Sequence, residues 1–239
     1  MHEQGGDTVP PTPPSLKSWI ESHTRADAID NHGFELNLEW WNQRIAHLPG
    51  SPVFGSEGTT AKDRISRAFL FDLAADAHRD ETGAGALRLF WHTLVWGTGS
   101  SHRNSPRRIR SIEAEPQRTT QLLRDAARLA VSDPREAFLK FQPRGNAIKS
   151  LGPNFFTKYL YFAGGGEIGH TCPIVDKRVL TTLHRETQLP VFKPKTTNYG
   201  FRTYDAAVQT LTTWAHDLST PDRTVGADEV ERWAFATGK

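Results

Sequence analysis

The chain has 239 residues, 37% hydrophobic and 23% charged, which fits a globular fold and excludes an intrinsically disordered chain. Its formal charge of +2 and isoelectric point near 8.7 select no partner; a nucleic-acid binder with this balance must gather its cations on one face. The lone cysteine, Cys172, excludes an internal disulfide and any zinc or iron–sulfur centre built from several cysteines.

The ten histidines form no HExxH or similar close cluster, so no structural metal is expected, and no motif calls for an organic cofactor. His2, His23 and His32 lie in polar sequence and are expected at the surface. No apolar run reaches the roughly 18 residues of a membrane helix, and the N-terminus lacks a basic-then-apolar pattern. A monomer in the cytoplasm is the default expectation.

Residues 1–14 are polar and proline-rich and are expected to form a flexible or extended tail, leaving 15–239 as one helical domain. Ser15 reads as a helix N-cap, with Leu16, Trp19 and Ile20 on one face. Trp40, Trp41, Ile45 and Leu48 repeat that pattern, and Leu48 to Thr60 reads as a loop. From Lys62 onward Ile65, Phe69 and Leu73 follow helical spacing. A more apolar helix carries Leu87, Phe90, Trp91, Leu94 and Val95 and ends at Gly97. Ser105-Pro106 starts a basic helix, Leu122 to Val131 is amphipathic, and Ser132-Asp133-Pro134 starts another helix. Tyr204 to Leu218 and Asp228 to Phe235 close the chain as helices. No alternating pattern predicts a strand, so the fold class is all-α, with roughly ten helices.

The segment Ile148 to Leu180 carries the chemistry. Asn146 to Leu151 is predicted as a short helix, broken by Gly152-Pro153-Asn154, with Asn154 placed to cap the next one. Such a turn opens backbone amides toward an anionic phosphate, or is an ordinary helix–helix connection. In the following helix Phe155, Tyr159 and Phe162 share a face, Phe156, Leu160 and Ala163 form its neighbour, and Lys158 sits among them. Burial there disfavours the ammonium and frees a lone pair for attack; the alternative is a lysine that reaches out to solvent. Asp176, in Pro173-Ile174-Val175-Asp176, reads both as a helix cap and as a carboxylate able to face a cleft.

These residues resemble the helix-hairpin-helix superfamily of DNA glycosylases, and within it the 8-oxoguanine glycosylase-like branch. Leu151-Gly152-Pro153-Asn154-Phe155-Phe156-Thr157-Lys158 is similar to that family's L-P-G-x-G-x-K hairpin and catalytic lysine. Pro173-Ile174-Val175-Asp176 resembles its P-x-D segment, with Asp176 placed 18 positions after Lys158. The second hairpin glycine is absent, the Leu151–Lys158 spacing is one residue longer, and one extra residue separates proline from aspartate. The motif likeness covers about 146–185. The helical pattern over 60–239, with Trp96-Gly97-Thr98-Gly99, is similar to bacterial proteins of the 8-oxoguanine glycosylase fold.

The resemblance implies two helical lobes flanking a cleft, with the hairpin motif at about 146–163 beside it. It implies Lys158 as nucleophile, Asp176 as the charge-stabilising carboxylate, and a monovalent cation held by hairpin carbonyls. The partner would be double-stranded DNA carrying a modified base, extruded into a pocket before excision, with strand cleavage to follow if Lys158 forms a Schiff base. Trp91, Trp96, Phe155, Phe156, Tyr159 and Trp214 are the candidate pocket walls. Gly152, Pro153, Asn154, Arg107, Arg108, Lys149, Lys177 and Arg178 are the candidate DNA contacts, with Arg103 and Arg110 in the same basic run. Repair of an oxidised purine and attack on a hypermodified base of phage DNA both fit; the hairpin's departures from the repair-type consensus turn the reading toward defence. A non-enzymatic DNA-binding module and a helical interaction protein are the alternatives, and the presence of both Lys158 and Asp176 favours an enzyme.

Overall fold

The computed structural model describes residues 9–239. The proline-rich tail therefore lies largely outside the described residues; within its remainder, the Pro10 carbonyl accepts a hydrogen bond from Trp214 Nε1 at 2.8 Å. The described residues form twelve α-helices and one small sheet, an essentially all-α fold.

At the centre is α5 (Ala84–Thr98), the apolar helix the sequence marks, buried on nearly all sides. It is flanked by α4 (Ala74–Arg79), α7 (Pro116–Ser132) and α9 (Pro153–Phe162). A helix apolar all round can be stable only inside such a shell. Its end falls two residues later than expected, because Gly99, not Gly97, adopts a positive φ and closes it. Around this centre lie α1 (Pro14–Ser22), α2 (Glu39–Ile45), α3 (Arg67–Asp72), α6 (Ser105–Ala114) and α8 (Pro134–Phe141). The chain then runs through α10 (Lys177–Thr187), α11 (Phe201–Leu218) and α12 (Ala227–Thr237). Prolines open α6, α7, α8 and α9, where a missing amide costs nothing. Asp133 caps α8 by accepting from the Glu136 amide at 3.0 Å.

Two expectations are corrected. Lys62 to Ser66 is not helical: it is β2 (Lys62–Ser66), paired antiparallel with β1 (Gly33–Asn37), Gly33 opposite Ser66 and Asn37 opposite Lys62. The alternation exists, with Asp63 and Ile65 facing inward, but one inward residue is an aspartate and hides the pattern. Asp63 tolerates burial because it accepts from the amides of Glu57, Thr59 and Arg64 and so ties down the preceding loop. Asn146 to Leu151 is likewise not a helix. Gly145 and Ser150 both take positive φ, and the Lys149 amide turns aside to Ser111 Oγ, leaving a single local bond from the Leu151 amide to the Ile148 carbonyl.

Candidate active site

Lys158 lies on the buried side of α9, and Asp176 stands at the start of α10, 7% and 8% exposed respectively. The segment before Asp176 is pinned to α9. The Val175 amide donates to Thr157 Oγ1 at 3.4 Å, Tyr199 donates its hydroxyl to the Val175 carbonyl, and Tyr204 donates to the Pro173 carbonyl. Asp176 caps α10 by accepting with Oδ1 from the Arg178 and Val179 amides at 2.9 and 3.3 Å. The cap leaves Oδ2 turned to Lys158 Nζ at 3.5 Å. On its other side that ammonium donates to the Asn154 carbonyl at 2.7 Å, one helical turn back.

Both groups line a cavity of about 190 Å³. Its walls come from five parts of the fold: His32 and Phe34 on and before β1, Arg67 at the start of α3, Trp96 to Gly99 at the end of α5, Ile174, and Glu231 with Phe235 on α12. Gly97 leaves room for Lys158 to lie against α5, since a Cβ at that position would fall 2.9 Å from Lys158 Cδ and 3.5 Å from Phe155. Behind the cavity a buried polar chain joins four elements. Arg67 donates to Glu231 Oε2 at 2.8 Å and to the Tyr161 hydroxyl at 3.1 Å; Tyr161 donates to Asp228, which also receives both arms of Arg25. Burial opposes the Arg67 charge, but Glu231 and the Tyr161 oxygen outweigh it, and the pKa rises. Burial pushes the Glu231 carboxyl up against the pull of Arg67. Burial, reinforced by the charges of Arg67, Arg232 and Arg64, pushes His32 down to about 3, so its ring is neutral at physiological pH.

Only part of the expected aromatic set reaches this cavity. Trp96 is a wall, and Phe155 sits half-buried beside Gly97. Trp91, Phe156, Tyr159 and Trp214 are fully buried core. Trp91 Nε1 donates to the Pro49 carbonyl and the Tyr159 hydroxyl to Leu123, while Phe156 stacks on Phe141 at 4.8 Å. These four are corrected from pocket walls to packing residues; aromatics at helical spacing fill cores first.

The basic residues divide as well. Arg107 and Lys149 line a second, larger groove of about 750 Å³ with Arg110, Arg118 and Arg144. Arg108 turns the other way: it lies 3.6 Å over the Phe155 ring, donates to the Ser150 carbonyl at 3.0 Å, and burial lowers its pKa to about 10. Arg178 donates to the Gly238 and Ala236 carbonyls and covers Phe235, tying down the end of α12, whereas Lys177 is exposed. Arg108 and Arg178 are therefore corrected from phosphate contacts to packing residues: Arg108 holds Phe155 and the Ser150 carbonyl, and Arg178 covers Phe235 of the cavity wall. Arg103 is exposed on the loop before α6.

The turn itself departs from expectation. Gly152, not Asn154, is the N-cap of α9, with Pro153 as the first helical residue. A monovalent cation fits the turn poorly: the Ser150 carbonyl already faces the Arg108 guanidinium, and the Gly152 carbonyl accepts the Phe155 and Phe156 amides. His32, Phe34, Arg67, Glu231 and Phe235 were not legible as site residues. His32 was expected at the surface, like His23, which is stacked on Trp19; His2 lies outside the described residues. Glu231 and Phe235 carry a weak signal, an acid and an aromatic spaced i, i+4 on one helix face.

Among the described residues no helix is long and apolar enough to cross a membrane. No curated protein and no solved structure matched the chain. Residues 27–235 match the family described as "Putative 8-oxoguanine DNA glycosylase OGG-like protein". An amine and a carboxylate converging on a cavity, in a chain matched over most of its length, place this protein in the OGG-like DNA glycosylase family.

Proposed function

We propose that the protein extrudes a modified base from duplex DNA into the 190 Å³ cavity and excises it at Lys158 and Asp176. The observation that carries this is the 3.5 Å approach of Lys158 Nζ to Asp176 Oδ2 at the wall of a cavity that also presents Trp96, Phe34 and Phe235. A base inside a duplex cannot reach such a wall, so extrusion must come first. As the N-glycosidic bond breaks, its electron pair leaves with the base and positive charge builds on the sugar. The Asp176 carboxylate faces that charge. Lys158, after passing a proton to the departing base, bonds C1′; ring opening then gives a protonated Schiff base and allows strand cleavage.

The groove of Arg107, Arg110, Arg118, Arg144 and Lys149 supplies the phosphate contacts. An oxidised purine is the favoured substrate. A 190 Å³ cavity is smaller than the roughly 300 Å³ and upward of pockets that hold drug-sized ligands, so it suits a base ring alone. A sugar-bearing phage base would have to project its sugar through the cavity mouth.

The test is a panel of duplexes carrying 8-oxoguanine, uracil, 5-hydroxymethylcytosine or its glucosylated form, with mass detection of free base. Release of one base that Lys158→Ala abolishes supports the reading. Binding of all four without release would leave a DNA-binding module instead. Release of the glucosylated base alone would move the function to phage defence.

A further inference from the structure

Four residues of the cavity wall carry buried side-chain atoms that have no hydrogen-bond partner within the protein. Glu231 is 1% exposed and uses Oε2 for Arg67, yet its Oε1 is unpaired. Trp96 Nε1 and His32 Nδ1 are buried and unpaired as well, and so is Thr98 Oγ1. All four residues line the same 190 Å³ space that Lys158 and Asp176 border. Buried polar groups are nearly always satisfied, so a cluster of unsatisfied ones around a cavity marks groups kept for a ligand. The Arg67 pair opposes the upward push of burial on this carboxyl: it fixes Oε2 and, in the ionised form, leaves Oε1 as an acceptor.

Resting on the glycosylase reading, we infer that Glu231 is the specificity-determining residue, and that the cavity selects bases whose edge carries an exocyclic amine. Glu231 Oε1 accepts the amine's N–H, and Trp96 Nε1 donates to a ring carbonyl or ring nitrogen of the same base. A uracil-type base puts a carbonyl where the amine should be and sets two oxygens against each other; a hypoxanthine-type base has only hydrogen there, and in both the buried carboxylate loses its partner. Guanine-type and cytosine-type bases satisfy this arrangement; hypoxanthine-type and uracil-type bases do not.

The experiment uses substrates paired at that amine, each pair in the same duplex: 8-oxoguanine against 8-oxohypoxanthine, which lacks it, and 5-hydroxymethylcytosine against 5-hydroxymethyluracil, in which a carbonyl replaces it and N3 gains a proton. Single-turnover release of free base is measured for the full chain. In whichever pair is cleaved, the amino member is expected to be released at least about tenfold faster. Glu231→Gln, whose amide both accepts and donates, should shrink that ratio toward one. Trp96→Phe, which leaves the Arg67–Glu231 pair intact, should slow both members and preserve the ratio. The wild-type ratio decides the matter even if Glu231→Gln fails to fold. Release of both members at equal rates overturns the inference and leaves the glycosylase reading standing. No release from any member, together with none from the wider panel, overturns both.

Discussion

Replacing Asp176 by asparagine separates its two tasks. The side chain caps α10 through Oδ1 and faces Lys158 through Oδ2. Asparagine caps a helix about as well as aspartate, so the first task survives. The second does not, because the amide carries no charge. The 3.5 Å approach to Nζ measures how close a positive centre can come to this carboxylate. For unit charges at about 4 Å and an effective dielectric near 20, the attraction is roughly 4 kcal/mol, which corresponds to about a thousandfold in rate. Asp176→Asn is therefore expected to melt within a few degrees of wild type while base release falls by about a thousandfold. Asp176→Ala also loses the cap, about 1 kcal/mol, and should melt roughly 2–4 °C below the asparagine variant. Thermal melts and single-turnover release on the best substrate provide the comparison. An asparagine variant that keeps more than a tenth of the wild-type rate would refute the electrostatic argument, as would one that loses activity only because it unfolds.

Gly97→Ala should hold or raise stability, because alanine favours a helix by up to about 1 kcal/mol, yet cut base release; the new methyl lies 2.9 Å from Lys158 Cδ and displaces that side chain. Parallel melts and activity assays test this, and unchanged activity would show that Lys158 has slack. Arg107→Ala and Lys149→Ala should each weaken DNA binding across sequences and reduce the salt slope by about one, whereas Arg108→Ala should lower stability through its lost place on Phe155. Fluorescence anisotropy over a salt series distinguishes the two behaviours. Borohydride should trap wild type on a cleavable duplex and leave Lys158→Ala free; an adduct with the alanine variant would place the nucleophile elsewhere. Stability should fall as pH drops from about 6.5 to about 4. His92 is buried and neutral, its Nδ1 donating to Arg88 and its Nε2 accepting from Phe54, with burial lowering its pKa to about 4. The unfolded chain then binds the extra proton, at a cost of roughly 3 kcal/mol across that window. Urea unfolding at both ends, with His92→Gln as the flatter control, checks the sign.

Lys158 and Asp176 could be singled out because the family's motif and their settings are local in sequence, a lysine in an aromatic helix and a capping aspartate before an amphipathic one, and the structure brings the two groups within 3.5 Å. The rest of the cavity could not. Arg67, Glu231 and His32 come from separate parts of the chain, and each alone resembles an ordinary charged or polar surface residue. Only the tertiary fold, with β1 against α5 and α12 bonded to α3 and α9 through Arg67–Glu231 and Tyr161–Asp228, brings them to one cavity. The aromatic walls failed for the opposite reason. Trp91, Phe156, Tyr159 and Trp214 are indistinguishable in pattern from Trp96, and their rings face the interior by the accident of helix rotation.

Composition and periodicity by themselves determined that this chain folds mainly as helices and where most of those helices begin; the family resemblance singled out Lys158 and Asp176. Proline, capping residues and apolar spacing act within a few residues, and such signals survive in the linear order. The tertiary structure alone decided that strand 62–66 exists, that Arg108 and Arg178 are tied down on backbone carbonyls, and that Glu231 is buried with one oxygen left over. Those outcomes depend on which surfaces meet, and burial of a charge is a property of the neighbours that surround it.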